Sequence, residues 1–243
     1  MSAWWNDPDR SGPRGRHAQR LPVVRARASW EPAVAAVARL FLAGLAALGV
    51  CLLVAVASLI SKPVHAQTIP LQAERYQLTL KREAQRVWGL DAPVATFAAQ
   101  IHQESRWRAD ARSPVGALGL AQFMPGTANW IGSMDVELRD RAPMNPTWAL
   151  RGLVVYDRWL WDRIKADTPC ERMAFTLSAY NGGLGWVYKR QRLSDAPGVC
   201  LGGTCSINPG IAPANQRENE HYPRVILGKH EALYRLWGAG SCE

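Results

Sequence analysis

Phe97, Ile101 and Glu104 stand at i, i+4 and i+7, in and just before the segment "AAQIHQESRWRAD". A helix through them sets a carboxyl on the same face as two apolar side chains. A carboxyl at the edge of such a face is partly stripped of water, which raises its pKa and lets it hold a proton near neutrality. That is what a general acid needs in order to protonate a leaving oxygen such as that of a glycosidic bond. The ordinary reading is that a Glu near a helix end is solvated or capping. On helical geometry alone the ordinary reading is the better one.

Three later stretches change that balance. The first, "SPVGALGLAQFMPGTANW", holds Gly116 and Gly119 where the backbone can turn tightly or approach a ligand. It continues through Gln122 and Met124, and Pro125-Gly126-Thr127 reads as a turn into a helix. The second, "SAYNGG", brings Tyr180 and Asn181 to a helix end closed by glycines. The third, "ENEHYPRVI", supplies Glu218 and Tyr222. Each has a bland alternative. Asn181 tolerates the left-handed geometry of a helix C-terminus, and Met124 is of a type that more often fills a core than meets a ligand. His102 and His221 have no pattern-mates and read as surface or structural.

Glu-Ser, then G-A-x-G-L-x-Q-x-M-P-x-T-A, then A-Y-N-x-G, then E-x-x-x-Y together resemble the lytic transglycosylases of the soluble type, the family 23 glycoside-cleaving domain. The match runs over roughly residues 75–235. The resemblance implies a mainly α, lysozyme-like (goose-type) single catalytic domain that cleaves the β-1,4 bond between N-acetylmuramic acid and N-acetylglucosamine in peptidoglycan. It implies Glu104 as the single catalytic acid. Ser105, Gly119, Gln122, Met124, Tyr180, Asn181, Glu218 and Tyr222 correspond to groove, sugar-contacting or buttressing positions. Three residues depart from the pattern: Ala121 where Met is usual, Asn219 where Thr is common, and Pro223 where Val is usual.

Cleavage by the usual glycosidase route takes two carboxylates. Asp110, between Arg108 and Arg112, reads as one side of a surface ion pair, and no second acid lies inside a motif near Glu104. The family chemistry needs only one, because the substrate's own acetamido oxygen stabilises the cation. Glu104 then removes the proton from the 6-hydroxyl, a 1,6-anhydro ring closes and no water enters. Rival expectations are a hydrolase of the same fold and a non-catalytic wall-binding or secretion-scaffold protein.

Around these motifs the pattern is helical. "LQAERYQLTLKREAQRVWGL" ends at Gly89, a C-cap. "DAPVATFAAQIHQESRW" starts with Asp91 as N-cap and Pro93 in its first turn. "NPTWALRGLVVYDRWLWDRIKAD" carries Trp148, Leu153, Tyr156, Leu160 and Ile164 at helical spacing. Its Trp148, Trp159 and Trp161 read as core or membrane-proximal. A helix from Pro169 stops at Gly182-Gly183, and the last one bends at Pro223. Residues 193–215, rich in Gly, Pro and Cys, read as a stapled loop.

The chain has 243 residues and a net charge of +9. Residues 1–39 form a basic, Pro- and Gly-punctuated leader that reads as disordered and cytoplasmic. Residues 40–60 are 21 positions without a charge, about the 30 Å a helix needs to span a bilayer. A positive flank stays inside, so the domain at 71–243, after a linker at 61–70, is expected in the periplasm. The segment 40–60 is expected as an inner-membrane signal-anchor, or as a secretion signal cleaved after Ala66 of Val64-His65-Ala66.

Residues 1–66 hold 8 basic and 3 acidic side chains, leaving 21 and 17 for the rest. The exported part is therefore mildly and diffusely basic, which suits a polyanionic wall and carries no nucleic-acid recognition pattern. Cys51 lies in the apolar run; Cys170, Cys200, Cys205 and Cys242 lie beyond it, an even number that points to two disulfides. Cys200 and Cys205 pair with each other, or each reaches Cys170 or Cys242. No C-x-x-C or H-x-x-x-H accompanies them, so neither metal nor cofactor is expected. A lone catalytic domain with its own export signal fits a bacteriophage endolysin. It also fits a wall-opening enzyme of a secretion apparatus or a housekeeping remodeller. A monomer is expected.

Overall fold

Local signals set the helix ends before any packing is considered. The computed structural model describes residues 68–242 together with positions 36, 37 and 39. The rest of the basic leader, the apolar run 40–60, Cys51 and the Val64-His65-Ala66 site lie outside the described residues. Among the described residues no helix is long and apolar enough to cross a membrane.

A 3-10 turn, Leu71–Tyr76, leads into α1, Gln77–Trp88, which Gly89 closes with φ 87° as the sequence expects. Next come α2 (Val94–Ser105) and α3 (Pro125–Ile131). α4 (Pro146–Arg163) is started by Asn145, whose side chain accepts the Thr147 and Trp148 amides at 2.9 and 3.2 Å. α5 (Pro169–Gly182) is started by Thr168, whose hydroxyl accepts the Glu171 amide at 3.2 Å. Pro at the first position of both helices suits the start, where its missing N–H is not needed. α6 (Leu184–Leu193) and α7 (Pro213–Val225) follow. The described part is mainly helical; its only strand-like pairings are isolated bridges from Leu118 to Arg112 and to Phe123.

One expectation needs correction. Asp91 does not cap α2: the helix starts at Val94 with Pro93 as its N-cap residue and no side-chain cap. Pro93 disfavours helical geometry at Ala92, and residues 89–92 instead close their own turn, with the Ala92 amide on the Gly89 carbonyl at 3.1 Å. α7 runs through Pro223 to Val225, and the winding changes at a π turn, Ile226–His230, then a 3-10 turn, Glu231–Tyr234. Tyr222, Ile226, His230 and Tyr234 recur every four residues and are all buried. That spacing drifts off a helix of 3.6 residues per turn, and the wider turn keeps the four on one face. Finally, Leu184–Leu193 forms a helix that the sequence pattern did not reveal, because its one fully buried aliphatic is Val187.

α2 is the axis of the core. Ten of its twelve residues are buried, which a helix achieves only when elements cover it on nearly every side. α1 packs on α4, α4 on α5, and the π and 3-10 turns close over α2. Trp107, Tyr234 and Trp237 interlock at its C-terminal end, with the Trp107 indole donating to the Tyr234 hydroxyl at 2.7 Å. Of the cysteine pairings left open by the sequence, the structure has Cys170–Cys242 and Cys200–Cys205. The first closes a loop of 72 residues, which on chain entropy alone stabilises by about 4 kcal/mol.

Candidate active site

Glu104 occupies the last turn of α2, just before Arg106 (φ 52°) and Trp107 (φ 64°) turn the chain into left-handed geometry. Two successive non-glycine residues in that region are costly. The cost is met by packing, since Trp107 is buried among Tyr76, Tyr234 and Trp237. The reversal carries the following loop back over Glu104.

That loop is held by its own backbone and by Gln122. The Leu118 and Phe123 amides and carbonyls pair at 3.0 and 3.1 Å, and the Gln122 side chain donates to the Gly119 and Ala111 carbonyls at 2.8 and 3.3 Å. Gly119 sits at φ 72°, and a Cβ there would lie 2.1 Å from the Pro143 carbonyl oxygen. The close approach required of this glycine is therefore to Pro143 rather than to a ligand.

Between the loop, α2, α5 and α7 lies a cavity of about 400 Å³. Seven of the nine expected site residues line it: Glu104, Gln122, Met124, Tyr180, Asn181, Glu218 and Tyr222. Met124 is exposed there and does not fill the core. The other two are placed elsewhere. Ser105 is buried, its hydroxyl turned back toward the Ile101 carbonyl, and Gly119 lies beneath the loop. Sequence reasoning missed Tyr156 and His221, which also line the cavity. Tyr156 belongs in sequence only to the helical stripe of α4, and His221 falls at an unspecified position of E-x-x-x-Y. Asp110 is exposed, but none of the ion pairs among the described residues includes it, so the expected pairing with a neighbouring Arg is not made. His102 is structural, buried with its ring stacked 4.4 Å from that of His230 and its Nδ1 2.8 Å from the Tyr234 hydroxyl.

Each wall is braced. The Tyr222 hydroxyl donates to Glu104 Oε1. The Tyr180 hydroxyl donates to the Ala121 carbonyl at 2.7 Å, and its ring packs 5.2 Å from Tyr156 and 5.7 Å from Phe123. Ala121 is thus buried under the groove, where the family's usual Met would need room. The Asn181 amide reaches Glu218 at 3.3 Å. Asn219 fixes Asn181 from behind, its Nδ2 donating to the Asn181 side chain at 2.9 Å and to the Ser178 carbonyl at 2.8 Å.

Burial decides the electrostatics. Loss of water pushes the Glu104 carboxyl up to about 8; the Tyr222 hydrogen bond opposes this and Glu218 adds to it. Tyr222 and Tyr180 are pushed well above the usual phenol range, chiefly by burial, so both keep their protons. The site therefore offers one carboxyl that carries a proton at neutral pH, and a phenol that steadies the carboxylate once the proton leaves. A second buried carboxyl, Asp157 of α4, lies behind it and is itself pushed well up by burial. No pattern in the chain singles out Asp157, because it sits in the apolar repeat of α4 outside every motif.

Residues 80–198 match the family model for the transglycosylase SLT domain. Over this stretch the chain is similar to an SLT transglycosylase domain. Two similar proteins are the membrane-bound lytic murein transglycosylases F of Shewanella pealeana and Maricaulis maris. The first is 32% identical over 126 residues, covering 51% of this chain and 24% of that protein. The second is 35% identical over 103 residues, covering 42% and 21%. The chain thus spans about a quarter of the length of the curated relatives it matches. Among solved structures, a 70-kDa soluble lytic transglycosylase in complex with bulgecin A aligns with a TM-score of 0.46 and 25% identity over 68% of this chain and 25% of that one. The Escherichia coli 70-kDa soluble lytic transglycosylase gives 0.46 and 21% over 73% of this chain and 32% of that one. The SLT match contains Glu104, Gln122, Tyr180 and Asn181 and stops before Glu218 and Tyr222.

Proposed function

We propose that the SLT domain is a lysozyme-like peptidoglycan lytic transglycosylase. It cleaves the β-1,4 bond between N-acetylmuramic acid and N-acetylglucosamine and leaves 1,6-anhydromuramic ends. One observation carries the reading: Glu104 is a desolvated carboxyl on a cavity wall, protonated near neutrality and hydrogen-bonded by a phenol. In the first step Glu104 gives its proton to the glycosidic oxygen, the C1–O bond breaks, and the sugar's own acetamido oxygen shares the positive charge. In the second, the Glu104 carboxylate takes the proton from the 6-hydroxyl as that oxygen bonds to C1. Atoms balance without water, and Glu104 ends as it began, an acid.

The cleft suits a polymer. A second cavity of about 350 Å³ shares Val115, Asn181 and Glu218 with the first and extends toward Trp186. Trp186 is exposed, with the Lys189 ammonium 5.3 Å from its ring centre, an apolar face of the kind on which a sugar stacks.

Glu218 favours a second reading. It lines the same cavity, and its charge is felt by Glu104, so a two-carboxylate hydrolase of the same fold is the alternative. Mass analysis of products from purified sacculi separates the two. Anhydro ends support the lyase, and reducing N-acetylmuramic acid ends overturn it. The names of the relatives support action at a membrane-facing wall, with the domain in the periplasm and residues 40–60 as its anchor. The endolysin role rests on the sequence alone, and gene neighbourhood tests it.

A further inference from the structure

Asp157 and Gln100 are both fully buried, and they face each other across the contact between α4 and α2. Gln100 lies one helical turn before Glu104 on α2, so the pair stands directly behind the candidate acid. The Gln100 Nε2 amide donates to Asp157 Oδ1 at 3.4 Å. Among the described residues two side-chain oxygens of this pair have no hydrogen-bond partner: Asp157 Oδ2 and Gln100 Oε1.

These two are complementary in only one protonation state. If Asp157 were a carboxylate, both atoms would be acceptors, and an ion would lie in the core with a single long hydrogen bond. Buried charges are found paired, and among the described residues no cation pairs with this one. If Asp157 Oδ2 carries a proton, it becomes a donor and Gln100 Oε1 is the acceptor it needs. Acid and amide then close a ring of two hydrogen bonds, and both unpartnered atoms are satisfied by one proton.

We propose that Asp157 is a neutral carboxylic acid, joined to Gln100 by a two-bond acid–amide ring that ties α4 to α2 behind Glu104 without adding a negative charge to the site. Asp157 is a positioning residue, because it touches Gln100 and not the cavity. The ionisable groups whose charge it feels, or that feel its charge, come from each neighbouring helix: Glu104 of α2, Tyr156 of α4, Tyr180 of α5 and Tyr222 of α7. The three phenols are neutral, so the charge of Asp157 would bear chiefly on Glu104. A neutral Asp157 leaves Glu218 as the nearby negative charge that Glu104 meets when it becomes a carboxylate.

The direct test is independent of the proposed activity. In the full chain with carboxyl-labelled aspartate, one carbon-13 resonance should stay at its protonated position through pH 7, while ordinary aspartates titrate near pH 4. If every aspartate resonance titrates in the ordinary range, the proposal falls, whatever the enzyme does. The second test rests on the transglycosylase reading. Asp157→Asn can keep both bonds to Gln100, with the Asn carbonyl accepting and its amide donating. Removing an uncharged acid should leave the alkaline midpoint of the activity profile where it is. If Asp157 is an anion in the native protein, its removal lowers that midpoint by about one pH unit, and this shift overturns the proposal.

Discussion

Two buried polar clusters share helix α5 and are finished in opposite ways. Around Arg190, fully buried, each of the three guanidinium nitrogens is answered by a neutral oxygen. Nε goes to the Ile207 carbonyl at 3.0 Å, Nη1 to Asn219 Oδ1 at 2.8 Å and Nη2 to Gln216 Oε1 at 2.7 Å. Asn219 and Gln216 are satisfied in turn by Ser178 and the Cys205 carbonyl. Around Glu104 and Asp157 two carboxyls share a desolvated space, and Asp157 Oδ2 and Gln100 Oε1 are left over. A cluster that only holds the fold gains by satisfying everything. A cluster that must gain and lose a proton is kept short of solvation, and stability bears the cost.

Glu104→Gln probes that contrast most strongly. Turnover should fall by roughly a thousandfold, the range for loss of a general acid, as measured by release of soluble muropeptides. Its stability should move the other way. The folded pKa, about 8, lies above the ordinary value of 4.5, so above pH 4.5 the unfolded chain gives up a proton that the folded one keeps. Stability is full below 4.5 and falls as pH rises toward 8. The melting temperature of the variant relative to the native protein should therefore climb across that window, by about 2–4 °C per kcal/mol. A flat difference would mean that Glu104 is not desolvated.

Arg190→Met should do the reverse. It should cost about 3 kcal/mol in urea unfolding, because the Ile207 carbonyl and Gln216 Oε1 lose their donor in the core and Asn219 Oδ1 keeps only the Ser178 hydroxyl, while turnover per folded molecule is unchanged. A loss of turnover equal to that of Glu104→Gln would erase the distinction between the two clusters.

Tyr222→Phe acts within the site. The hydrogen bond favours the ionised form, so its loss should raise the Glu104 pKa further and carry the alkaline limb of the activity profile upward from about 8. The rate should drop roughly tenfold, as expected when a hydrogen bond to a charged group is lost. A downward move of the limb would contradict the assignment of Tyr222 as donor. The smallest effect is reserved for Trp186→Ala. KM for long glycan strands should rise by about threefold to tenfold, with short fragments unaffected. Equal effects on both would confine binding to the first cavity.

The helix ends at Gly89, Asn145, Pro169 and Gly183 were legible because caps and prolines act within four residues. The apolar stripes of α2 and α4 were legible because helical periodicity is local. α6 and the start of α2 were misread or missed, since Arg190 is buried by a long-range network and Ala92 is held in a turn by Pro93. The site residues were readable where a motif runs along the chain, as from Gly116 to Met124.

What the sequence determined by itself was the set of side chains with chemistry to do, and Glu104 at the edge of an apolar helical face. Tertiary structure alone decided that Ser105 turns inward, that Gly119 serves Pro143, and that Tyr222, 118 positions away, donates to Glu104. It also placed Asp157 and Gln100 against each other. Desolvation and hydrogen bonding across helices depend on which surfaces meet, and that information is not contained in the spacing along any single segment.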